Sequence, residues 1–156
     1  MFNKFTTKSQ EAVRSAQQIA IDNANQQVDV LHVLLSLLSQ EDSLVLTILK
    51  KLEVDINQLK NILYAQIELL PKAQVEISLT QMFLTESLAR VFTGAELEAK
   101  NLHDEYISTE HLLLSMLSVR SVVKSIFDTV SVNHEKVLKI LTELRGSTRV
   151  TDPEPE

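Results

Sequence analysis

Residues 30–39 read VLHVLLSLLS and residues 109–118 read TEHLLLSMLS, so one chain writes nearly the same apolar helix twice, 79 residues apart. A segment this apolar on every side cannot face water and must lie at the centre of whatever folds around it. The correspondence runs well beyond the two segments. At a shift of 79, Thr6 meets Thr85, Val13 meets Phe92, Ala16 meets Ala95, Ala20 meets Ala99, Val28 meets Ile107, Asp29 meets Ser108 and His32 meets His111. After one deleted residue the shift is 78, and Ile48 meets Ile126, Val54 meets Val132, Asp55 meets Asn133 and Ile62-Leu63 meets Ile140-Leu141. Apolar face, small residues and helix-cap types all agree, which chance likeness between amphipathic helices rarely preserves. The chain is therefore read as a tandem repeat of a helical unit of about 70 residues.

Apolar spacing divides each unit into four helices. In the first unit a helix from Thr7 to Asn23 carries the stripe Ala12, Val13, Ala16, Ile19, Ala20, with Thr7 and Gln10 placed for a capping box. The apolar helix follows Asp29, a third covers Ser43 to Leu52, and a fourth starts after Asp55 with Gln58 at the capping-box position. Pro71 closes the unit. The expected fold is all-α: two four-helix units, about eight helices, related by a pseudo-twofold axis with the apolar helices near the middle. Repeat one spans 5–70, a connection 71–78 and repeat two 79–146. Paired alanines allow close helix approach, and a groove is expected where the units meet. Two glycines in the whole chain make poor material for sheets with tight turns. Residues 147–156, STRVTDPEPE from Ser147, have no apolar period and read as a solvated linker toward a further module.

Other features mainly exclude. A net charge of -6 argues against nucleic acid as a partner, because phosphate binding needs clustered Lys and Arg. The absence of cysteine removes disulfides and thiolate chemistry and fits a reducing, cytoplasmic setting. No run approaches the ~18 apolar residues of a membrane span, and MFNKFTTKSQ lacks the apolar run of a signal peptide. No Gly-rich phosphate loop or closely spaced metal pattern occurs, so no catalytic residue, metal or cofactor is expected in this chain. His32 and His111 read as side chains packed or hydrogen-bonded near helix starts, not as ligands. Asp104 and Glu105 precede the repeated helix and Glu110 lies in its first turn, where an acid complements the helix dipole by about 0.3–1 kcal/mol. Met82, Phe83 and Leu84 either cover the junction between units or stay exposed for a partner.

Ala-Gln-Gln-Ile-Ala at 16–20, YISTEHLLL at 106–114 and the two-copy arrangement together resemble the Clp N-terminal domain, the paired helical repeat at the front of AAA+ chaperones. LLPK at 69–72 and ELRGSTRVTDPEPE at the end resemble the ClpB-type disaggregase branch. The resemblance implies a module that captures exposed apolar segments of unfolded or aggregated client proteins. ATP and Mg would belong to AAA+ modules beyond the linker, the parent would be a homohexamer and the isolated domain a monomer. It carries client handling onto Thr6, Phe92, Asp104 and Glu110, although Thr6 and Glu110 read equally well as capping residues. Where the disaggregase pattern places leucines along a groove, this chain has Phe92, Gly94, Glu98 and His111, which implies a more polar groove or a displaced client patch. The Glu-His pair of STEHLLL is closer to ClpA and ClpC relatives, in which the domain docks adaptor proteins; adaptors are the alternative partner.

Overall fold

The two sets of apolar periods become two lobes in the computed structural model of the chain, which describes residues 2–75 and 82–154. The first lobe holds α1 (Thr7–Asp22), α2 (Val30–Leu38), α3 (Leu44–Lys51) and α4 (Ile56–Glu68). The second holds α5 (Glu86–Asn101), α6 (Thr109–Met116), α7 (Val122–Thr129) and α8 (His134–Arg145). Every residue of α2 and of α6 is buried, as their all-round apolar character requires. Each fully buried Leu or Val there contributes about 1.5–3 kcal/mol relative to an exposed one.

Packing repeats with the symmetry. The α1 helix packs on α2 as α5 packs on α6, and α2 packs on α4 as α6 packs on α8. Across the lobes, α3 packs on α6 while α7 packs on α2, and α1 touches α6 while α5 touches α2. Each lobe's short third helix thus shields the other lobe's apolar helix. Close approach relies on small residues: Ala12, Ala16, Ala20 and Ala95 are 0% exposed. Two matched serines tie the helices together. Ser36 Oγ donates to the Ala12 carbonyl at 2.7 Å, and Ser115 Oγ donates to the Val91 carbonyl, also at 2.7 Å.

The segments leading into the helices cross between lobes. Strand β1 (Gln27–Val28) pairs in parallel with β2 (Phe83–Leu84), placing Gln27 beside Phe83 and Val28 beside Leu84. Phe5 and Ile107 form the matching parallel bridge. Thr85 N–H donates to the Val28 carbonyl at 3.0 Å, and Thr6 N–H donates to that of Ile107 at 3.0 Å. Scarce glycine did not exclude this ladder, because parallel pairing of sequence-distant segments uses no tight turn.

Helix ends follow one design. Asn25 N–H donates to the Ala20 carbonyl and Ala24 N–H to that of Ile21, while Asp104 N–H donates to Ala99 and His103 N–H to Lys100. These are Schellman ends, and Ala24 and His103 hold their left-handed position at φ 57° and 61°. Glu53 and Ser131 do the same after α3 and α7.

Two local expectations are corrected, and a third lies partly outside the described residues. The cap of α1 is Thr6, not Thr7: Ser9 N–H donates to Thr6 Oγ1 at 3.2 Å. The extended chain runs one residue further because Thr6 still pairs with Ile107. Of the connection expected at 71–78, residues 76–78 lie outside the described residues. The segment from 147 is not a free solvated linker over its described length: Val150 is 4% exposed, and Thr7 N–H donates to the Pro153 carbonyl at 2.8 Å.

Candidate functional site

The Schellman ends deliver Asn25 and Asp104, matched at a shift of 79, to the start of the apolar helix in each lobe. There the two histidines act as caps. Asp29 N–H donates to His32 Nδ1 at 2.9 Å, and Ser108 N–H donates to His111 Nδ1 at 2.8 Å. A ring nitrogen that accepts from a backbone amide carries no proton, so Nε2 is the donor in both rings. His32 Nε2 donates to Asn25 Oδ1 at 2.9 Å, and His111 Nε2 donates to Asp104 Oδ2 at 2.7 Å. Burial lowers the His32 pKa below its ordinary value, against an opposing pull from Asp29. The reading of both histidines as packed, hydrogen-bonded side chains at helix starts therefore holds. Among the described residues no cluster of three metal-ligating side chains occurs.

The lobes differ in what else reaches this position. In the first, Asn25 Nδ2 donates to the Pro71 carbonyl at 3.2 Å. In the second, Arg145 clamps Asp104 through both oxygens, with Nη1 2.9 Å from Oδ2 and Nη2 2.6 Å from Oδ1. Val150 N–H adds a bond to Oδ1 at 2.8 Å. Burial alone would raise the Asp104 pKa; the bonds from Arg145, the Val150 amide and His111 outweigh it and hold the carboxyl below its ordinary value.

The four residues assigned by resemblance are thus placed unequally. Thr6, 1% exposed, caps α1, and its hydroxyl hydrogen-bonds Ser9 Oγ at 3.0 Å. Phe92, 1% exposed, packs edge-on against Phe5 from the other lobe, ring centroids 5.6 Å apart, and offers no free apolar surface. Asp104 is consumed by the clamp. Glu110 is 6% exposed in the first turn of α6, and no side-chain hydrogen bond or ion pair to another described residue holds its carboxylate. The expected groove line also disperses. Gly94 faces Ser115, where a Cβ would lie 2.3 Å from Ser115 Oγ. Glu98 accepts from His134 Nε2 at 2.9 Å, and His111 is fully buried.

A cleft does open where the lobes meet, at the first lobe's Asn25 position. About 190 Å³ in volume, it is lined by Asn25, Gln26, Asp29, Leu70, Pro71 and Thr85, among others. Thr85 Oγ1 donates to Asp29 Oδ1 at 2.8 Å across its floor. Beside the lining residues in the chain stand exposed apolar side chains: Leu69 next to Leu70, Leu84 next to Thr85, Phe83 paired with Gln27, and Val75 two residues past Ala73. Phe83 is 65% exposed, so of the two readings of the 82–84 segment, exposure applies to Phe83, while Met82 packs against the core. The clamp residues Arg145 and Val150 carried no sequence signal beyond one basic residue at a helix end and one apolar residue in a polar tail.

The matched lobes, the crossed lead-ins and the capping histidines agree with comparison to known proteins. Residues 4–143 match the model of the Clp repeat N-terminal domain. The chain is 35% identical over 155 residues to the chaperone protein ClpB of Bacillus cereus, covering 99% of this chain and 18% of that protein. It is 37% identical over 152 residues to the ClpB of Bdellovibrio bacteriovorus, covering 97% of this chain and 18% of that one. It thus spans less than a fifth of the length of these relatives. In fold it is similar to the Hsp104 N-terminal domain of Candida albicans, with a TM-score of 0.83, 21% identity and coverage of 96% and 97% of the two chains. The N-domain of ClpV from Vibrio cholerae gives a TM-score of 0.76 at 19% identity, over 96% and 90%. No helix among the described residues is long and apolar enough to cross a membrane. With most of its length matched and its internal repeat visible in the packing, the chain belongs to the Clp repeat N-terminal domain family.

Proposed function

We propose that this domain captures exposed apolar segments of unfolded or aggregated proteins for a ClpB-type chaperone of the cytoplasm. The rest of such a protein supplies the ATP-driven work of disaggregation and assembles as a hexamer. The observation that carries the reading is the cleft between the lobes, together with the exposed apolar residues Leu69, Val75, Phe83 and Leu84, which neighbour its lining residues in the chain or across the strand pair. Apolar groups left in water beside a cleft gain about 25 cal/mol for each Å² a client covers. Ordering an unfolded segment offsets much of that gain, so capture by one small cleft is weak. Six linked copies compensate through effective concentration, and weak single contacts allow release. A complex of a ClpV N-domain with a VipB peptide, similar to this chain in fold, is a case in which this architecture holds a peptide.

Of the residues assigned by resemblance, Glu110 is the one whose carboxylate no side-chain hydrogen bond or ion pair to another described residue holds, but at 6% exposed it offers a client little surface. Thr6, Phe92 and Asp104 are buried and act on capture from within the fold, not by touching the client. NMR titration with an unfolded apolar protein tests this. The expected shifts fall on Phe83, Leu84 and Leu69, and Phe83→Asp abolishes them without changing stability. An unchanged spectrum at high client concentration would sink the proposal. Response to a folded adaptor but not to unfolded chains would favour the adaptor-docking alternative.

A further inference from the structure

Residues 147–154 are bonded to the domain at two separated points, Val150 and Pro153. Val150 N–H donates to Asp104 Oδ1 at 2.8 Å, Glu105 N–H donates to the Val150 carbonyl at 2.8 Å, and Thr7 N–H donates to the Pro153 carbonyl at 2.8 Å. The Val150 side chain is buried. Arg145, the last residue of α8, anchors the turn that starts the segment: it grips Asp104 and its Nη2 also donates to the Thr148 carbonyl at 2.9 Å. The segment therefore crosses from the end of the second lobe to the first turn of the first.

We propose that residues 147–154 form a docked strap, with Asp104 as its lock, and that Thr6 and Asp104 affect client handling by governing this strap and not by touching the client. The strap sets the direction in which the chain leaves the domain. In relatives of ClpB length it thereby fixes how the domain is presented to the modules that follow. Two facts join the strap to the named residues. Asp104 spends one oxygen on Arg145 and Val150 together. Thr6 forms the cap whose next amide, that of Thr7, donates to the Pro153 carbonyl. The second half of the proposal rests on the client-capture reading; the docking itself does not.

Amide hydrogen exchange on the 156-residue chain, with no client present, reads the docking directly. Thr7 N–H is the first in its helix and has no intrahelical acceptor, and Glu105 N–H lies in a loop, so protection of either reports the strap. Both are expected to be protected in the unaltered chain. Arg145→Met removes two bonds to Asp104, and Val150→Asp places a carboxylate in the strap's buried position. Each is expected to speed exchange at Thr7 and Glu105 by about 10- to 100-fold, the range for losing a charge-assisted hydrogen bond. Val150 lies outside every helix, so amides within α2 and α6 stay protected and separate undocking from unfolding. Unprotected Thr7 and Glu105 amides in the unaltered chain, or no response to Val150→Asp, would overturn the strap. If the strap responds but Val150→Asp leaves client handling by the full-length chaperone unaltered, the link to Thr6 and Asp104 is wrong while capture through Phe83 stands.

Discussion

Gly94 is interior to α5, where glycine is unfavourable by about 0.8–1.0 kcal/mol relative to alanine. Alanine at this position would stabilise the helix by that amount if nothing stood nearby. Ser115 stands nearby: a Cβ at position 94 would come within 2.3 Å of its Oγ, while Ser115 Cβ lies at an ordinary 3.5 Å. The hydroxyl cannot swing away freely, because it donates to the Val91 carbonyl at 2.7 Å. Either that bond is lost, at about 0.5–1.5 kcal/mol, or α5 and α6 separate, at the 1–3 kcal/mol typical of overpacking. Gly94→Ala is thus expected to be neutral to about 2 kcal/mol destabilising once the helix gain is subtracted. Ser115→Ala alone costs about 1 kcal/mol. In the double variant the clash is gone, the helix gain remains, and stability returns to within about 0.5 kcal/mol of the starting protein. The two changes are therefore coupled by about 1–3 kcal/mol, read by urea unfolding followed by circular dichroism. In a chain of this size each kcal/mol moves the melting midpoint by about 2–4 °C. A Gly94→Ala variant stabilised by the full propensity gain, with the double variant additive, would refute close helix approach as the reason for the glycine.

Three further outcomes follow from the same packing. Leu34→Ala, at a fully buried position of α2, is expected to cost about 2.7–5 kcal/mol in chemical denaturation, whereas truncating exposed Leu97 changes little. Glycine at the left-handed positions Ala24 and Ser131 is expected to raise stability by about 0.4–1 kcal/mol each, additively, because the two helix ends are independent. The folded state lowers the His32 pKa, so the unfolded chain binds the proton more readily; stability is full above about pH 6.5 and falls as pH drops through that value. Denaturant midpoints across pH 5 to 8 check this, and His32→Gln should flatten that limb.

Sequence periodicity revealed the repeat because α2 and α6 are buried on every side and their neighbours on one side, which constrains residue type at nearly every position. The cap residues Asp29, Asp55 and Asn133 were legible for a similar reason: each accepts from an amide within three residues. The two parallel strands were not, since a two-residue strand has no alternation to read. Phe92 was assigned to a groove by resemblance, and nothing local in the sequence marks Phe5 reaching across to cover it. The strap escaped notice because its anchoring partners, Asp104 and Thr7, lie 46 and about 146 residues away in the chain. A polar tail with one valine carries no local mark of docking.

The divergence between Asn25 and Asp104 turns one scaffold position into two devices. Both side chains receive the Nε2–H of a capping histidine and both hold the chain that leaves their lobe's last helix. An amide does this without titrating. A carboxylate does it through charge-assisted bonds, which are stronger but depend on ionisation. The folded pKa of Asp104 is lowered, so its stabilising contribution is fully present above about pH 4 and is lost as pH falls below that value. Acid should therefore deprotect the Thr7 and Glu105 amides, whose strap is held by the Asp104 carboxylate, while the first lobe's Asn25 and Ala73 amides, whose segment is held by the Asn25 side-chain amide, keep their protection until the lobes unfold. Simultaneous loss of all four would mean that the strap is simply part of the second lobe's fold and has no separate undocked state.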